Sequence, residues 1–198
     1  MIKENVLRKN LLTGEIDYGN VDPEFEIENL DGNIIQDSPW IEISNDTEDA
    51  KNYFQAIDLK KAQVNRTALI KDAYSKAQFG LVKQNGSIFK VALSGDSWLD
   101  FERQVLKASV NGVADFVAIN EAGILKVLKD IPFSVLQPLY KNLCDVSVGN
   151  FAIKNQLLYQ VANVKDIKNE QGIIIKTAMD CLNEIVISFP EIQTFTIG

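Results

Sequence analysis

The chain has 198 residues, 46% of them hydrophobic, and a formal net charge of −7. It has enough apolar material for one folded domain, or one domain with an arm. It contains no histidine, which excludes Ser-His-Asp and Cys-His catalysis and every imidazole metal site. The negative charge argues against nucleic acid as a partner. No segment approaches the roughly 20 apolar residues of a membrane span, so we expect no membrane partner.

The acidity is concentrated in an N-terminal arm, residues 1–46, which has eleven acidic against three basic residues and a net charge of −8. Within the arm, Glu24-Phe25-Glu26-Ile27-Glu28 has the period-two alternation of a half-buried strand. Asp31-Gly32 predicts a turn into a second strand at Ile34-Ile35, and Trp40-Ile41-Glu42-Ile43 alternates again. The arm is therefore predicted to be rich in short strands.

We interpret this arm as a docking surface for a basic partner. The candidate partner-binding residues are Asp22, Glu24, Glu26, Glu28 and Trp40. The alternative is a solvated arm that repels itself. Trp40 is expected to anchor the arm on the body of the protein, with stacking on a sugar as the alternative role. Asp31-Gly32-Asn33 lacks the ligand spacing of a calcium loop, and we expect no metal site.

Residues 47–79 are predicted to form one continuous helix, because they contain no Gly or Pro and their apolar residues recur at helical spacing. Thr47 and the polar residues before it would cap the start, and Gly80 would end the helix. The apolar stripe consists of Ala50, Phe54, Ile57, Val64 and Ala68, followed by Leu69, Ala73 and Ala77. Because this stripe is as narrow as a coiled-coil seam, we expect a homo-oligomer formed through the helix.

Hairpins and helices are predicted to alternate in the next part of the chain. Asn85-Gly86, between two β-prone runs, predicts a hairpin. Asp96 or Ser97 is expected to cap a helix that Gly112 ends. A second hairpin is predicted from Val113 to Val127, with its turn at Glu121-Ala122-Gly123.

A C-terminal group of helices is predicted to follow. One helix should begin near Pro132 and end between Asn163 and Asp166, with Pro138 and Gly149 as possible irregularities. A final amphipathic helix is predicted from Gly172 to Phe189, and the tail after it is β-prone or loose. The predicted fold class is α+β: an acidic β-rich arm (1–46) and an α+β body (47–198) with a long helix, two short β-hairpins and C-terminal helices.

Few residues of the sequence indicate a catalytic or cofactor-binding site. Cys144 and Cys181 lie in apolar helical patterns, which predicts reduced and mostly buried thiols in a reducing compartment, with a disulfide or a nucleophile as the alternative. The first residues lack a signal-peptide pattern. The sequence has no glycine-rich nucleotide loop, Walker loop or Gly-x-Ser-x-Gly elbow. We therefore expect no catalytic residues and no cofactor, although a glycosidase-type pair of carboxylates stays open.

From Thr47 to about Ile173 the chain resembles an uncharacterised domain family common in bacteriophage tail, tail-fibre and tail-fibre-assembly proteins. The resemblance is carried by Arg66 and Ala73 leading into Phe79-Gly80-Leu81, by Ser87-Ile88-Phe89-Lys90, by Gly95-Asp96-Ser97-Trp98-Leu99, by Phe116-Val117-Ala118-Ile119-Asn120-Glu121-Ala122-Gly123, by Leu136 and Tyr140, and by the run from Lys154 to Ile167. It implies a phage or prophage particle, in which proteins of this kind act by binding other proteins, and it implies no catalytic residues.

The residues and the resemblance together predict a non-enzymatic structural or assembly protein, either a tail-fibre component or a tail-fibre assembly chaperone. The expected partners are other phage tail proteins, and the expected location is the virion tail or the bacterial host cytoplasm during assembly. The alternative is a receptor- or glycan-binding module that uses Trp40, Tyr18 and Phe25 of the arm. A small hydrolase is a third alternative.

Overall fold

The structure, a computed structural model, describes residues 3–21, 26–28, 34–36 and 40–197. It contains both helices and strands, so the predicted α+β class is confirmed. The chain divides into two compact units, residues 1–62 and residues 63–198. The boundary falls inside the first helix, α1 (Glu48–Lys76), which contributes its first half to the N-terminal unit.

The described residues of the N-terminal unit form five short strands: β1 (Lys3–Asn10), β2 (Ile16–Val21), β3 (Glu26–Glu28), β4 (Ile34–Gln36) and β5 (Trp40–Glu42). One antiparallel sheet has the order β2-β1-β5, and β3 and β4 form a separate two-stranded antiparallel sheet. The predicted strands of the arm are therefore confirmed as β3, β4 and β5. The Asp31-Gly32 turn lies outside the described residues.

The β1–β2 hairpin was not predicted, because β1 has only two adjacent apolar residues and no alternation. Its turn depends on Asn10, whose Oδ1 accepts hydrogen bonds from the backbone N–H groups of Leu12 (2.9 Å) and Thr13 (3.0 Å). Gly14 follows with φ +74°, which glycine adopts without strain. Asn10 and Gly14, at the two ends of the turn, were the local sequence signal for it.

Helix α1 is continuous from Glu48 to Lys76, which confirms the predicted long helix. The side chain of Thr47 caps it by accepting a hydrogen bond from Ala50 N at 3.2 Å. Its predicted end at Gly80 is wrong. Residues from Phe79 onward form a strand in which Gly80 pairs with Val91, because pairing in a sheet satisfies the backbone there.

The C-terminal unit is built on a five-stranded sheet with helices on one face. Its elements are β6 (Phe79–Gln84), β7 (Ser87–Ala92), α2 (Gly95–Asn111), β8 (Val113–Asn120), β9 (Leu125–Pro132), α3 (Phe133–Ala162), β10 (Ile167–Lys168), β11 (Ile174–Lys176), α4 (Ala178–Asn183) and β12 (Thr194–Thr196). The strand order is β12-β6-β7-β8-β9, with β12 parallel to β6 and the other pairs antiparallel. Both predicted hairpins are confirmed, and both belong to this one sheet.

The core lies between this sheet and helices α2 and α3. Phe101 of α2, Phe116 of β8, and Leu136 and Leu143 of α3 are almost completely buried in one cluster. The rings of Phe101 and Phe116 meet edge to face, with centroids 5.0 Å apart. Alternate residues of β8 point into this cluster, and the residues between them are exposed on the other face of the sheet.

The boundaries of α2 and α3 differ in part from the prediction. Ser94, not Asp96 or Ser97, is the N-cap of α2, and its side chain makes no capping hydrogen bond. Gly112 ends α2 in the left-handed conformation, as predicted. Helix α3 runs without a break through Pro138 to Ala162, so the expected irregularities do not interrupt it.

The predicted final helix from Gly172 to Phe189 is wrong. Only α4 is helical there, and Ile174–Lys176 is instead a strand paired with Ile167–Lys168. The β-branched run before α4 favours a strand, and a capping box between Thr177 and Asp180 starts the helix late. Within the described parts of the chain, no helix combines the length and apolar character needed to cross a membrane.

Candidate functional site

The candidate partner-binding residues of the arm are only partly described. Asp22 and Glu24 lie outside the described residues. Glu26 and Glu28 lie in β3, opposite Gln36 and Ile34 of β4. Trp40 begins β5 and is half-buried.

Arg8 of β1 joins the three strands of the N-terminal sheet. Its Nε donates to Oδ1 of Asp17 on β2 at 2.7 Å, and one terminal nitrogen donates to Asn20 O at 2.9 Å. The guanidinium lies 4.2 Å from the centre of the Trp40 ring on β5, in a cation–π contact. The hydrogen bond raises the pKa of Arg8 and lowers the pKa of Asp17 below its ordinary value. Within the N-terminal unit, Trp40 is therefore anchored on Arg8.

Lys9 makes a further ion pair among the described residues of this unit. Its Nζ lies 2.5 Å from Oδ2 of Asp49, in the first turn of α1. The arm contains only three cations, Lys3, Arg8 and Lys9, and two of them are thus engaged with acids of the same unit. Arg8 is paired with an acid of the arm, Asp17, whereas Lys9 is paired with Asp49, which lies outside the arm. The net charge of −8 already counts these cations, so the two ion pairs leave it unchanged.

A second surface is the open edge of the five-stranded sheet, which we call the β9 edge and define as Leu125, Lys126 and Val127. Strand β9 is the last in the sheet order, and no described strand pairs with its outer side. The side chains of Leu125 and Val127 are 64% and 53% exposed, and Lys126 is also exposed. Long exposed edges with apolar side chains are templates for pairing with another strand.

Some backbone N–H and C=O groups of the β9 edge point away from β8. Asn120 N donates to Ile124 O at 2.9 Å, and from this pair onward, residue pairs that are hydrogen-bonded across β8 and β9 alternate with pairs that are not. In an antiparallel pair this alternation places the N–H and C=O of Leu125 and Val127 on the side away from β8. The regular edge ends at a bulge, where Asp130 has φ +55° and its N–H donates to Oδ1 of Asp115 at 2.8 Å. The edge therefore offers room for one short strand.

This surface is not among the sites predicted from the sequence. Ile124-Leu125-Lys126-Val127 was predicted as a returning strand, but a strand pattern does not tell whether the strand is central or at an edge. The signal that could have drawn attention to it is the apolar–Lys–apolar order, since lysine is common on edge strands.

Helix α1 exposes part of its predicted stripe. Val64 and Leu69 are 63% and 53% exposed, whereas Ile70 is completely buried. The side chains that contact the rest of the C-terminal unit include Gln63, whose Nε2 donates to Val161 O at 2.8 Å. Val64 and Leu69 are therefore not covered within the described chain.

A groove of about 710 Å³ opens beside the C-terminal half of α3. Leu157 and Ile185 contribute apolar lining, and Lys165 and Glu184 contribute opposite charges. The β10–β11 hairpin beside it exposes the side chains of Ile173 and Ile174. Because its charges balance, this groove favours neither an acidic nor a basic partner.

A polar cluster joins α2 to α3. The hydroxyl of Tyr140 donates to Oε1 of Glu102 at 3.1 Å, and its ring stacks on Trp98 with centroids 5.6 Å apart. A hydrogen bond with Cys144, burial and the bond to Glu102 raise the pKa of Tyr140. Cys144 and Cys181 are free thiols, as predicted, and each is partly buried. The hydrogen bond to Glu102 and the stacking on Trp98 both connect α3 to α2.

Comparison with protein-family models, with curated proteins and with solved structures found no match to the chain. The resemblance to phage tail domains therefore stays a prediction.

Proposed function

We propose that this chain is a structural or assembly protein of a bacteriophage or prophage tail, a fibre component or a fibre chaperone, which acts by binding other proteins through its acidic arm. Support for the tail assignment comes from the sequence patterns between Thr47 and Ile173. Support for protein binding comes from the arm, whose cations Arg8 and Lys9 are already engaged within their own unit.

The observation that carries the proposal is this charge layout. An arm with a net charge of −8 beside a remainder near neutrality creates a local field that steers a basic partner toward the arm. Exposed charges are screened beyond about 8 Å at physiological ionic strength, so capture should weaken with salt. The helix α1 adds a route to self-association through Val64 and Leu69.

A receptor- or glycan-binding module is the second candidate. Tyr18 on β2 is 49% exposed and could stack on a sugar ring. One face of the Trp40 ring is occupied by Arg8, so stacking there would use the other face. Phe25 lies outside the described residues.

The test uses the tagged full chain produced in a bacterial host that carries the phage tail genes. We expect it to co-purify with a tail protein and to be recovered with tails or tail intermediates. A variant with Asp22→Asn, Glu24→Gln, Glu26→Gln and Glu28→Gln should fold normally and capture less of this partner at low salt. The matched control, Asp145→Asn with Glu121→Gln, Glu170→Gln and Glu191→Gln, changes four exposed acids of the C-terminal unit and should capture as much as the parent.

Three outcomes separate the candidates. Equal capture by the arm variant and the parent at low salt would contradict docking through the arm. Binding of the isolated protein to host cell-surface polysaccharide, lost with Tyr18→Ala, would favour the glycan-binding module. If the parent neither co-purifies with a tail protein nor is recovered with tails or tail intermediates, the tail assignment is contradicted.

A further inference from the structure

We propose that the β10–β11 hairpin, residues 167–176, of one copy of this chain packs into the groove beside α3 of a second copy, in a twofold-symmetric dimer. The contact lies within described residues of the C-terminal unit, and it depends neither on the acidic arm nor on the tail assignment. It is carried by the exposed isoleucines of the hairpin, by the apolar groove next to them, and by the charge balance of the surface that they share.

The hairpin exposes three consecutive isoleucines. Ile173, Ile174 and Ile175 are 62%, 47% and 65% exposed. Consecutive apolar residues of this kind are typical of a strand that is buried on both faces. Among the described strands, however, β10 and β11 pair only with each other. The hairpin therefore has the composition of a buried element, and no described part of the chain buries it.

Hydrogen bonds hold this hairpin in one conformation. At its tip, Oδ1 of Asn169 accepts hydrogen bonds from the backbone N–H groups of Gln171 (3.0 Å) and Ile173 (2.9 Å). At its base, Oδ1 of Asp166 accepts a hydrogen bond from Ala178 N at 2.7 Å. A preorganised segment loses little conformational entropy when it binds, so the exposed isoleucines are already placed for a partner.

The groove next to the hairpin is apolar where it is exposed. Its volume of about 710 Å³ is enough to enclose several side chains of a partner. Tyr159 and Val186 line it and are 70% and 76% exposed. Ile167 belongs both to the groove lining and to β10. One continuous surface therefore contains an apolar hairpin and an apolar concavity.

This surface is large enough for a stable dimer. Six of its large apolar residues are about half exposed or more: Tyr159, Ile167, Ile173, Ile174, Ile175 and Val186. Residues of this size and exposure present on the order of 700 Å² per copy, close to the roughly 800 Å² that each partner contributes to a standard interface. Apolar patches of this size on a single chain usually mark an interaction site.

The charges of the surface favour a second copy as its occupant. Residues 153–186 contain four lysines and four acidic residues, which gives a net charge of zero in a chain with a net charge of −7. Two copies can therefore approach through this surface without net repulsion, whereas two acidic arms would repel each other. A surface without net charge also gives no electrostatic preference for a basic or an acidic partner.

The position of the hairpin beside the groove makes the contact symmetric. A twofold axis between two copies places each hairpin in the groove of the other, which gives two equal contacts and a closed dimer. Association through Val64 and Leu69 of α1 would use a different surface. The two contacts are therefore separable by mutation.

The test is sedimentation velocity of the full chain with Val64→Glu and Leu69→Glu, a background in which α1 does not contribute to association. We expect this background to dimerise. Ile175→Lys in the hairpin and Val186→Glu in the groove should each weaken dimerisation roughly tenfold or more, because each buries an unpaired charge. An equal mixture of these two variants should associate more strongly than either alone, because one intact hairpin then meets one intact groove.

Matched controls and a second measurement accompany this test. Val110→Lys and Val110→Glu make the same changes at an exposed valine of α2 and should leave dimerisation unchanged. Circular dichroism of each variant checks that the fold is kept. Amide hydrogen exchange needs no further variant: the amides of residues 173–175 should exchange more slowly at high than at low protein concentration, and those of residues 106–110 should not change.

A background protein that is monomeric at high micromolar concentration would overturn the proposal, as would variants that dimerise like the background or a mixture no better than the single variants. If the background is monomeric and Ile175→Lys and Val186→Glu reduce its capture of a tail protein, another protein occupies this surface and the contact between copies is overturned. Loss of the dimer without loss of capture through the arm supports the contact and leaves the proposed function standing.

Discussion

Gly80 of β6 and Leu143 of α3 are in direct contact, so closely that a Cβ added to Gly80 would lie 2.0 Å from Cδ2 of Leu143. Both residues are buried, and Leu143 is completely inaccessible to solvent. The glycine is required here for space, since its φ lies outside the left-handed region. This contact sets how closely α3 approaches the sheet.

Gly80→Ala should therefore destabilise the protein by about 1–3 kcal/mol, the usual cost of overpacking a core. Urea unfolding of the full chain measures it. Gly149→Ala is the matched control, because no atom lies within 4 Å of its added Cβ and helical Gly→Ala changes stabilise by about 0.5–1 kcal/mol. A Gly80→Ala protein as stable as the parent would show that Leu143 moves freely.

Asn150→Ala should also lower the free energy of unfolding. The buried Nδ2 of Asn150 donates to Ala77 O at 2.9 Å, just beyond the end of α1. Its loss leaves that carbonyl without its partner, at a cost of about 1–3 kcal/mol. The control Asn163→Ala removes an exposed hydrogen bond to Tyr159 O and should cost much less. Equal effects of the two changes would contradict this reasoning.

Asp17 should titrate below its ordinary value of 3.8, because Arg8 donates a hydrogen bond to its carboxylate. A lowered pKa in the folded state means that this group contributes stability above pH 3.8, which is lost as the pH falls through the folded value. NMR titration of the carboxyl carbon measures the pKa, and Arg8→Gln should raise it. Asp180, whose pKa is lowered first by the Thr177 hydroxyl, should not respond to Arg8→Gln.

Tyr140 should titrate at an unusually high pH, mainly because of its hydrogen bond with Cys144, then burial and Glu102. A raised folded pKa means that its contribution to stability is complete below the ordinary value of 10.0 and is lost as the pH rises through the folded value. In an alkaline absorbance titration, Tyr140→Phe should remove the tyrosine signal that appears at the highest pH, and Cys144→Ala should lower the pKa of that signal. Tyr159→Phe should leave that signal in place.

Val64→Glu with Leu69→Glu should weaken self-association through α1 without loss of helix, because both side chains are exposed in a single copy. The measurement is sedimentation velocity of the full chain. Val148→Glu, an exposed change on α3, is the control. A monomer at high micromolar concentration in the parent would contradict association through the helix.

Much of the candidate site could be anticipated from composition. The excess of acids in residues 1–46 is visible in the sequence, and so is the alternation around Glu26. The engagement of Arg8 with Asp17 and Trp40 could not be predicted, since it joins three strands and β1 and β2 lack a strand signal. The β9 edge likewise depends on which strand of the sheet has no neighbour.

By itself the sequence determined the features that short-range geometry controls. Helix α1 follows from an uninterrupted helical pattern, the β6–β7 turn from Asn85-Gly86 with positive φ at both positions, and the end of α2 from Gly112. Only the tertiary structure decided that Gly80 joins a strand, that Thr194–Thr196 pairs with β6, and that Ile174–Lys176 is not helical. The physical reason is that backbone preferences act residue by residue, whereas strand pairing depends on a partner segment elsewhere in the chain, as between Leu81 and Thr194, which are more than 100 residues apart.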